Sequence, residues 1–353
     1  MMKSIPIYYL IGLMSLLLCS ACILRFDVDP NQGREADNLL VIDGLLSNSP
    51  TERLIRVNWQ DGRGTITSPF AEGSIFKDGQ MWATLDPDTL GLVLPEEFLF
   101  EEGASYHLEI IVDDSLEYHS QPQVIYPSLQ TDSLSFEVDR QLVRNSANVN
   151  VLREFVLISA HVTLAASSDK KEYYYWNVDE AWSFTEITDP RVPGDIPRTC
   201  YPRGSISQFP ATLLSNDQVL TGPTEILIAS RFIDESFLEK HYFTAYLRAI
   251  DPATFIYFKN ATSLGENAGS LFEQFPGTIK GNLFNPNDDN ELVMGNVAFS
   301  LVDTLHFSVS NFELKARIFD VCTAENVFSN PIRCFDCTYA FGAESLIKPD
   351  YWE

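Results

Sequence analysis

The stretch HYFTAYLRAI (241–250) alternates strictly, with Tyr242, Thr244, Tyr246 and Arg248 on one side and Phe243, Ala245 and Leu247 on the other. Period two marks a β-strand, because successive side chains leave opposite faces of an extended chain. The next residues break the pattern at once. Asp251 is a good helix N-cap, Pro252 suits the first helical position, and Phe255, Phe258 and Thr262 then share one helical face. This is the one convincing helix in the chain; the sequence on either side of it reads as strands.

Upstream in the same half, LSFEVD (134–139), REFVLISAHVTLA (153–165), KEYYYWNVDEAWSFTEI (171–187) and ILIASRF (226–232) are β-branched, aromatic and short. Downstream, VAFSLVDTLHFSVSNF (297–312) and LKARIFDVC (314–322) predict a return to strands. The first half follows the same rule. LLVIDGLLSN (39–48) reads as a strand pair or a bulged strand around Asp43-Gly44, and LIRVNW (54–59) and YHLEIIVDD (106–114) alternate. Asp78-Gly79 inside IFKDGQMWATL (75–85) is a hairpin signal, and Pro122 and Pro127 stop the strand material of 116–126. Strands at this spacing, with no helical pattern between them, predict a β-sandwich over 39–127. The expected class is mainly β: an N-terminal sandwich, then a larger β-rich domain over 128–353 with one or two short helices. No repeat of 20–50 residues interrupts this plan.

Composition sets the partners that can be excluded. The 353 residues carry 49 Asp and Glu against 24 Lys and Arg, a formal charge of −25. That field repels phosphate backbones, so nucleic acid is a poor partner. A hydrophobic content of 45% is enough for packed cores.

The compartment is read from residues 1–22, MMKSIPIYYLIGLMSLLLCSAC. Lys3 precedes an uncharged run from Ile5 to Leu18, shorter than the roughly 20 apolar residues of a membrane span. Small residues before Cys22 fit signal cleavage and resemble a bacterial lipobox, which makes 1–21 a signal peptide and Cys22 the acylated first residue. A plain secretory signal and a non-cleaved anchor are the alternatives; all three export the body. Residues 22–38, with Pro30 and Gly33, read as lipidated cysteine and tether.

The four later cysteines, Cys200, Cys322, Cys334 and Cys337, form an even set in an exported chain. Two disulfides are expected, with three pairings open; a four-thiolate zinc site is the rival, since Cys334 and Cys337 have ligand spacing. Signals for catalysis are few. His107, His119, His161, His241 and His306 are scattered, with no H-E-x-x-H, and neither G-x-S-x-G nor a glycine-rich phosphate loop occurs. Paired carboxylates such as Glu96-Glu97 and Asp113-Asp114 sit at turns, and NPNDDNE (285–291) offers calcium-type oxygens in what reads as ordinary turn chemistry. No cofactor and no enzymatic activity are expected. Tyr173 to Trp176 could form an exposed platform, so Tyr174, Trp176 and Trp182 are the candidate residues for a glycan or peptide ligand; core packing is the competing reading.

Several segments in order carry a family likeness: Cys22, Leu40-Val41-Ile42-Asp43-Gly44, Gly103 to Leu108, and Tyr118-His119-Ser120. Tyr174-Tyr175-Trp176, Cys200, Tyr257-Phe258, Pro276 to Asn282 with Gly295 and Phe299, and the tail from Cys334 to Trp352 complete it. The chain resembles the uncharacterised lipoproteins of Bacteroidota often encoded beside TonB-dependent outer-membrane receptors. That resemblance implies an immunoglobulin-like or carboxypeptidase-regulatory-like first domain. It also implies lipid anchoring at the outer membrane, on either face, and a TonB-dependent transporter as partner. The expected function is a non-enzymatic accessory role in substrate capture or uptake, with a stand-alone surface glycan- or peptide-binding module as the alternative.

Overall fold

The computed structural model describes residues 39–61, 65–127, 131–164, 171–206, 212–216, 222–267, 279–323, 325 and 329–352. The chain is mainly β, as its alternation predicts. Two sheets face each other in the first unit. One has Leu39–Leu46 at its centre, antiparallel to Leu54–Gln60, which in turn pairs with Gly91–Val93. The other runs Leu116–Ser120, Ser105–Val112, Ala71–Lys77 and Gln80–Thr84. Their inner faces meet in one core, where Leu40, Ile42, Ile55 and Val57 oppose Ile75, Leu108, Ile110 and Tyr118. The Asp78-Gly79 hairpin forms as read: both residues have positive φ, 50° and 78°, and join Lys77 to Gln80.

Residues 39–127 do not complete this sandwich alone. Val297–Phe299 adds a parallel strand to Leu39–Leu46, and Leu283–Phe284 adds an antiparallel one to Leu116–Ser120. The returning chain runs so close that glycine is required. A Cβ on Gly281 would meet the carbonyl of Gly295, and one on Gly295 (φ +94°) would meet that of Ile42. Asn282 and Gln123 both donate to the carbonyl of Val297, tying the added strand to both sheets.

The second unit packs two further sheets around its own core. One is Thr131–Arg144, Asn150–Leu164 and Gly222–Phe232; the other centres on Tyr173–Trp182, Lys240–Ile250 and Val302–Ser310. Val156, Ile158, Ala160 and Val162 face Trp176, Val178, Phe243 and Leu247. The strand Lys240–Ile250 is buried on both faces. Its Phe243 side enters the core, while its Tyr242 side is covered by three elements. The tail rings of Tyr351 and Trp352 lie over Tyr242, the helix Pro252–Asn267 sets Phe255 and Phe258 against Tyr173 and Tyr175, and the loop before Leu54 brings Glu52 to Arg248.

Two local expectations change. LLVIDGLLSN holds a single strand, Leu39–Leu46, because Asp43 and Gly44 keep the ladder to Arg56 and Ile55. The strand expected at 314–322 does not form. Ser310 and Glu313 make a capping box that starts a helical turn at Asn311–Leu314, Lys315 ends it in the left-handed region, and 316–321 run irregularly. Among the described residues no helix is long and apolar enough to cross a membrane.

Candidate functional site

The cysteines resolve the pairing left open by the sequence. Cys200 bonds Cys337 across 137 residues, and Cys322 bonds Cys334 across 12. Pairwise S–S bonding uses all four thiols, so the zinc alternative has no ligands left. Next to them Glu186 accepts from Arg198 and from the Cys337 N–H. Burial pushes the Glu186 carboxyl up, but these donors outweigh it and hold the group below its ordinary range. The knot ties the tail to the segment 186–201. The lipidation candidate Cys22 lies outside the described residues.

The aromatic platform is corrected. Tyr174 and Trp176 are buried in the second core, since strand alternation turns them inward and leaves Tyr173 and Tyr175 to be covered by the helix. The Tyr174 hydroxyl donates to Glu172. Trp182 is half-buried, its ring parallel to His241 and edge-on to Phe341. Tyr174 and Trp176 therefore offer no face for a sugar or peptide, and Trp182 alone keeps part of its ring exposed.

The histidines stay separate, each engaged locally. His241 is fully buried, stacked at 4.0 Å on Phe237 and 3.1 Å from Glu180. His306 stacks on Tyr351 and contacts Thr244; His161 contacts Ser135. In NPNDDNE the oxygens serve the loop itself. Asn285 and Asp288 accept backbone N–H groups two residues on, and Glu291 accepts from Asn285 and from the Tyr118 hydroxyl.

The surface feature that sequence reasoning missed is on the first sandwich. The outer face of its second sheet holds a cleft of about 510 Å³ whose walls include Phe70, Phe76, Met81 and Ile111. Phe70 is 56% exposed and Met81 66%. Glu72, Asp86, Glu109 and Glu117 also line it, and none of its lining residues is cationic. Glu117 accepts from His119 at 2.9 Å, which holds its carboxyl below the ordinary range. The signal was present as Glu109 and Ile111 on the outward positions of YHLEIIVDD, but periodicity cannot tell a solvated outward face from a docking one. Chemically the cleft suits an apolar group flanked by positive charge.

The family comparison covers most of this architecture. The family model described as Domain of unknown function (DUF4249) matches residues 24–306. The chain belongs to that family. The DUF4249 match takes in the whole first sandwich with its cleft, the closing strands Leu283–Phe284 and Val297–Phe299, and Cys200. It ends inside the strand Val302–Ser310, so the partner cysteines of the tail lie beyond the DUF4249 span. No curated protein and no solved structure matches the chain.

Proposed function

We propose that the chain is an exported lipoprotein, anchored through Cys22 at the outer membrane, and that it acts without catalysis as an accessory partner of a TonB-dependent transporter in substrate capture or uptake. The observation that carries export is the pairing of Cys200 with Cys337 and of Cys322 with Cys334, because disulfides form and persist in oxidising compartments. The signal-like run from Ile5 to Leu18 with small residues before Cys22 supports acylation of Cys22 as the anchor, and the order of motifs shared with lipoproteins encoded beside such receptors supports the partner. The charge of −25 keeps such a body soluble and away from an anionic bilayer. The rival reading, a stand-alone glycan- or peptide-binding module built on Tyr174, Trp176 and Trp182, keeps only Trp182, because Tyr174 and Trp176 are buried in the second core. Copurification from membranes after mild crosslinking tests the proposal. An outer-membrane receptor recovered with the chain is the expected result, and a consistently solitary chain would overturn it.

A further inference from the structure

A second surface has the opposite character to the acidic cleft. The strands Thr131–Arg144 and Asn150–Leu164 pair along their whole length, but the third strand of their sheet ends at Phe232, opposite Phe155. Beyond that point the hairpin continues alone as a two-stranded ribbon, Asp139–Glu154. Its tip is ordered: the Asn145 side chain accepts from the N–H groups of Ala147 and Val149, and Asn148 takes a positive φ.

Register fixes which side chains share a face. Val156, Ile158, Ala160 and Val162 line the core, and the same face continues outward through Arg140, Leu142 and Arg144, with Leu152 directly opposite Leu142. The core face therefore runs off the end of its domain. Leu142 is 67% exposed and Leu152 61%. Arg140 pairs with Glu154 only at the surface, an interaction weak enough to exchange. In a strongly acidic chain this is a basic, apolar strip. The cleft on the first sandwich is its complement in both respects. It has apolar walls, four carboxylates and room for several side chains, and its Gln80–Thr84 border ends a sheet just as Thr131–Arg144 does.

We propose that the ribbon Asp139–Glu154 of one copy docks in the cleft of a second copy, Leu142 and Leu152 entering the apolar walls and Arg140 and Arg144 meeting the acidic rim. This contact is independent of any transporter. Because the ribbon is already folded, docking orders little new chain, which favours association.

The test uses the full chain purified in detergent, with a photoreactive residue at position 142. Irradiation is expected to give a covalent dimer whose attachment sites map to 70–87 or 109–117. Arg140→Glu with Arg144→Glu, and separately Glu72→Arg with Asp86→Arg, should each lower dimer yield at least about tenfold, since like charges then face each other. Mixing the two variants should restore it, because the reversed ribbon then meets the reversed cleft and the unchanged ribbon of the cleft variant meets the unchanged cleft of the ribbon variant, and that rescue also certifies that both variants are folded. Monomer alone, attachment to detergent or lipid, attachment elsewhere on the chain, or charge variants that fail to rescue one another would each overturn the proposal.

Discussion

Arg248 and Glu52 meet at 2.7 Å across the junction of the two β units, 196 residues apart in sequence. The guanidinium is 0% exposed, lies over the Tyr175 ring at 5.2 Å, and gives a second bond to Asn177. Asp43 and Asp179 lie close by, both pushed up by burial, and burial with the charges of Asp179 and Glu52 pushes the Tyr246 hydroxyl up to about 12. Arg248 is thus the principal cation of an acidic, desolvated seam. Removing one partner of a buried pair leaves the other uncompensated, so Arg248→Met is expected to cost about 3 kcal/mol. Arg248→Lys should recover little, because a compact, strongly hydrated ammonium costs more to bury at this fully enclosed site and loses the stacking of the flat guanidinium on the Tyr175 ring. Thermal unfolding of the variants checks both points; a methionine variant as stable as the parent would remove the junction role.

The two disulfides should differ in worth. In the chain-entropy picture a closed loop of 137 residues contributes roughly 5 kcal/mol and one of 12 residues roughly 3 kcal/mol. Replacing Cys200 and Cys337 by Ser should therefore lower the denaturant midpoint more than replacing Cys322 and Cys334. The reverse order would show that the short loop braces the native tail instead of limiting the unfolded chain.

Acid should act through Glu180. Burial pushes this carboxyl up, but His241 at 3.1 Å and Arg231 at 2.7 Å outweigh it and hold it below its ordinary 4.5. A depressed carboxyl contributes stability that is complete above the unfolded value and is lost as pH falls through the folded one. Asp43 and Asp179, raised by burial, act in the opposite sense: their contribution is present at low pH and lost as pH rises through their folded values. The informative quantity is the difference between the parent and Glu180→Gln. It should be largest above pH 4.5 and shrink steadily below it, in denaturant unfolding at a series of pH values.

Gly295 should tolerate no side chain. Its φ of +94° and the carbonyl of Ile42 beneath it both oppose a Cβ. Gly295→Ala is expected to cost at least about 2 kcal/mol, from backbone strain together with displacement of Val297–Phe299. Hydrogen exchange at Leu39–Leu46 would report that displacement as lost protection.

These residues also mark where the sequence was legible. Alternation in 241–250 gave the strand and both of its faces, Asp251-Pro252 gave the helix start, and Asp78-Gly79 gave the hairpin, because each is a local rule acting on adjacent residues. The closing of the first sandwich was hidden: Val297–Phe299 lies in a stretch that reads as strand for the second domain, and the two-residue pairing of Leu283–Phe284 leaves no period, so no local rule assigns either to the first domain. The ribbon was hidden for another reason. DRQLVR is polar except for the adjacent Leu142 and Val143, so it looks like a solvated edge, and only the register to Val156 reveals that its Leu142 side prolongs a core. The Tyr174 and Trp176 alternation fitted either face, and packing against Val156 to Val162 decided it.

The central claim is an anchored chain that works beside a transporter. Its most direct measurement is mass spectrometry of the chain extracted from crosslinked outer membranes, identifying both its first residue and what is joined to it. The prediction is an acylated Cys22 at the amino terminus and a crosslink to a TonB-dependent receptor, both lost from the membrane fraction in Cys22→Ser. An unacylated chain beginning elsewhere, or an acylated one joined to no receptor, would contradict it.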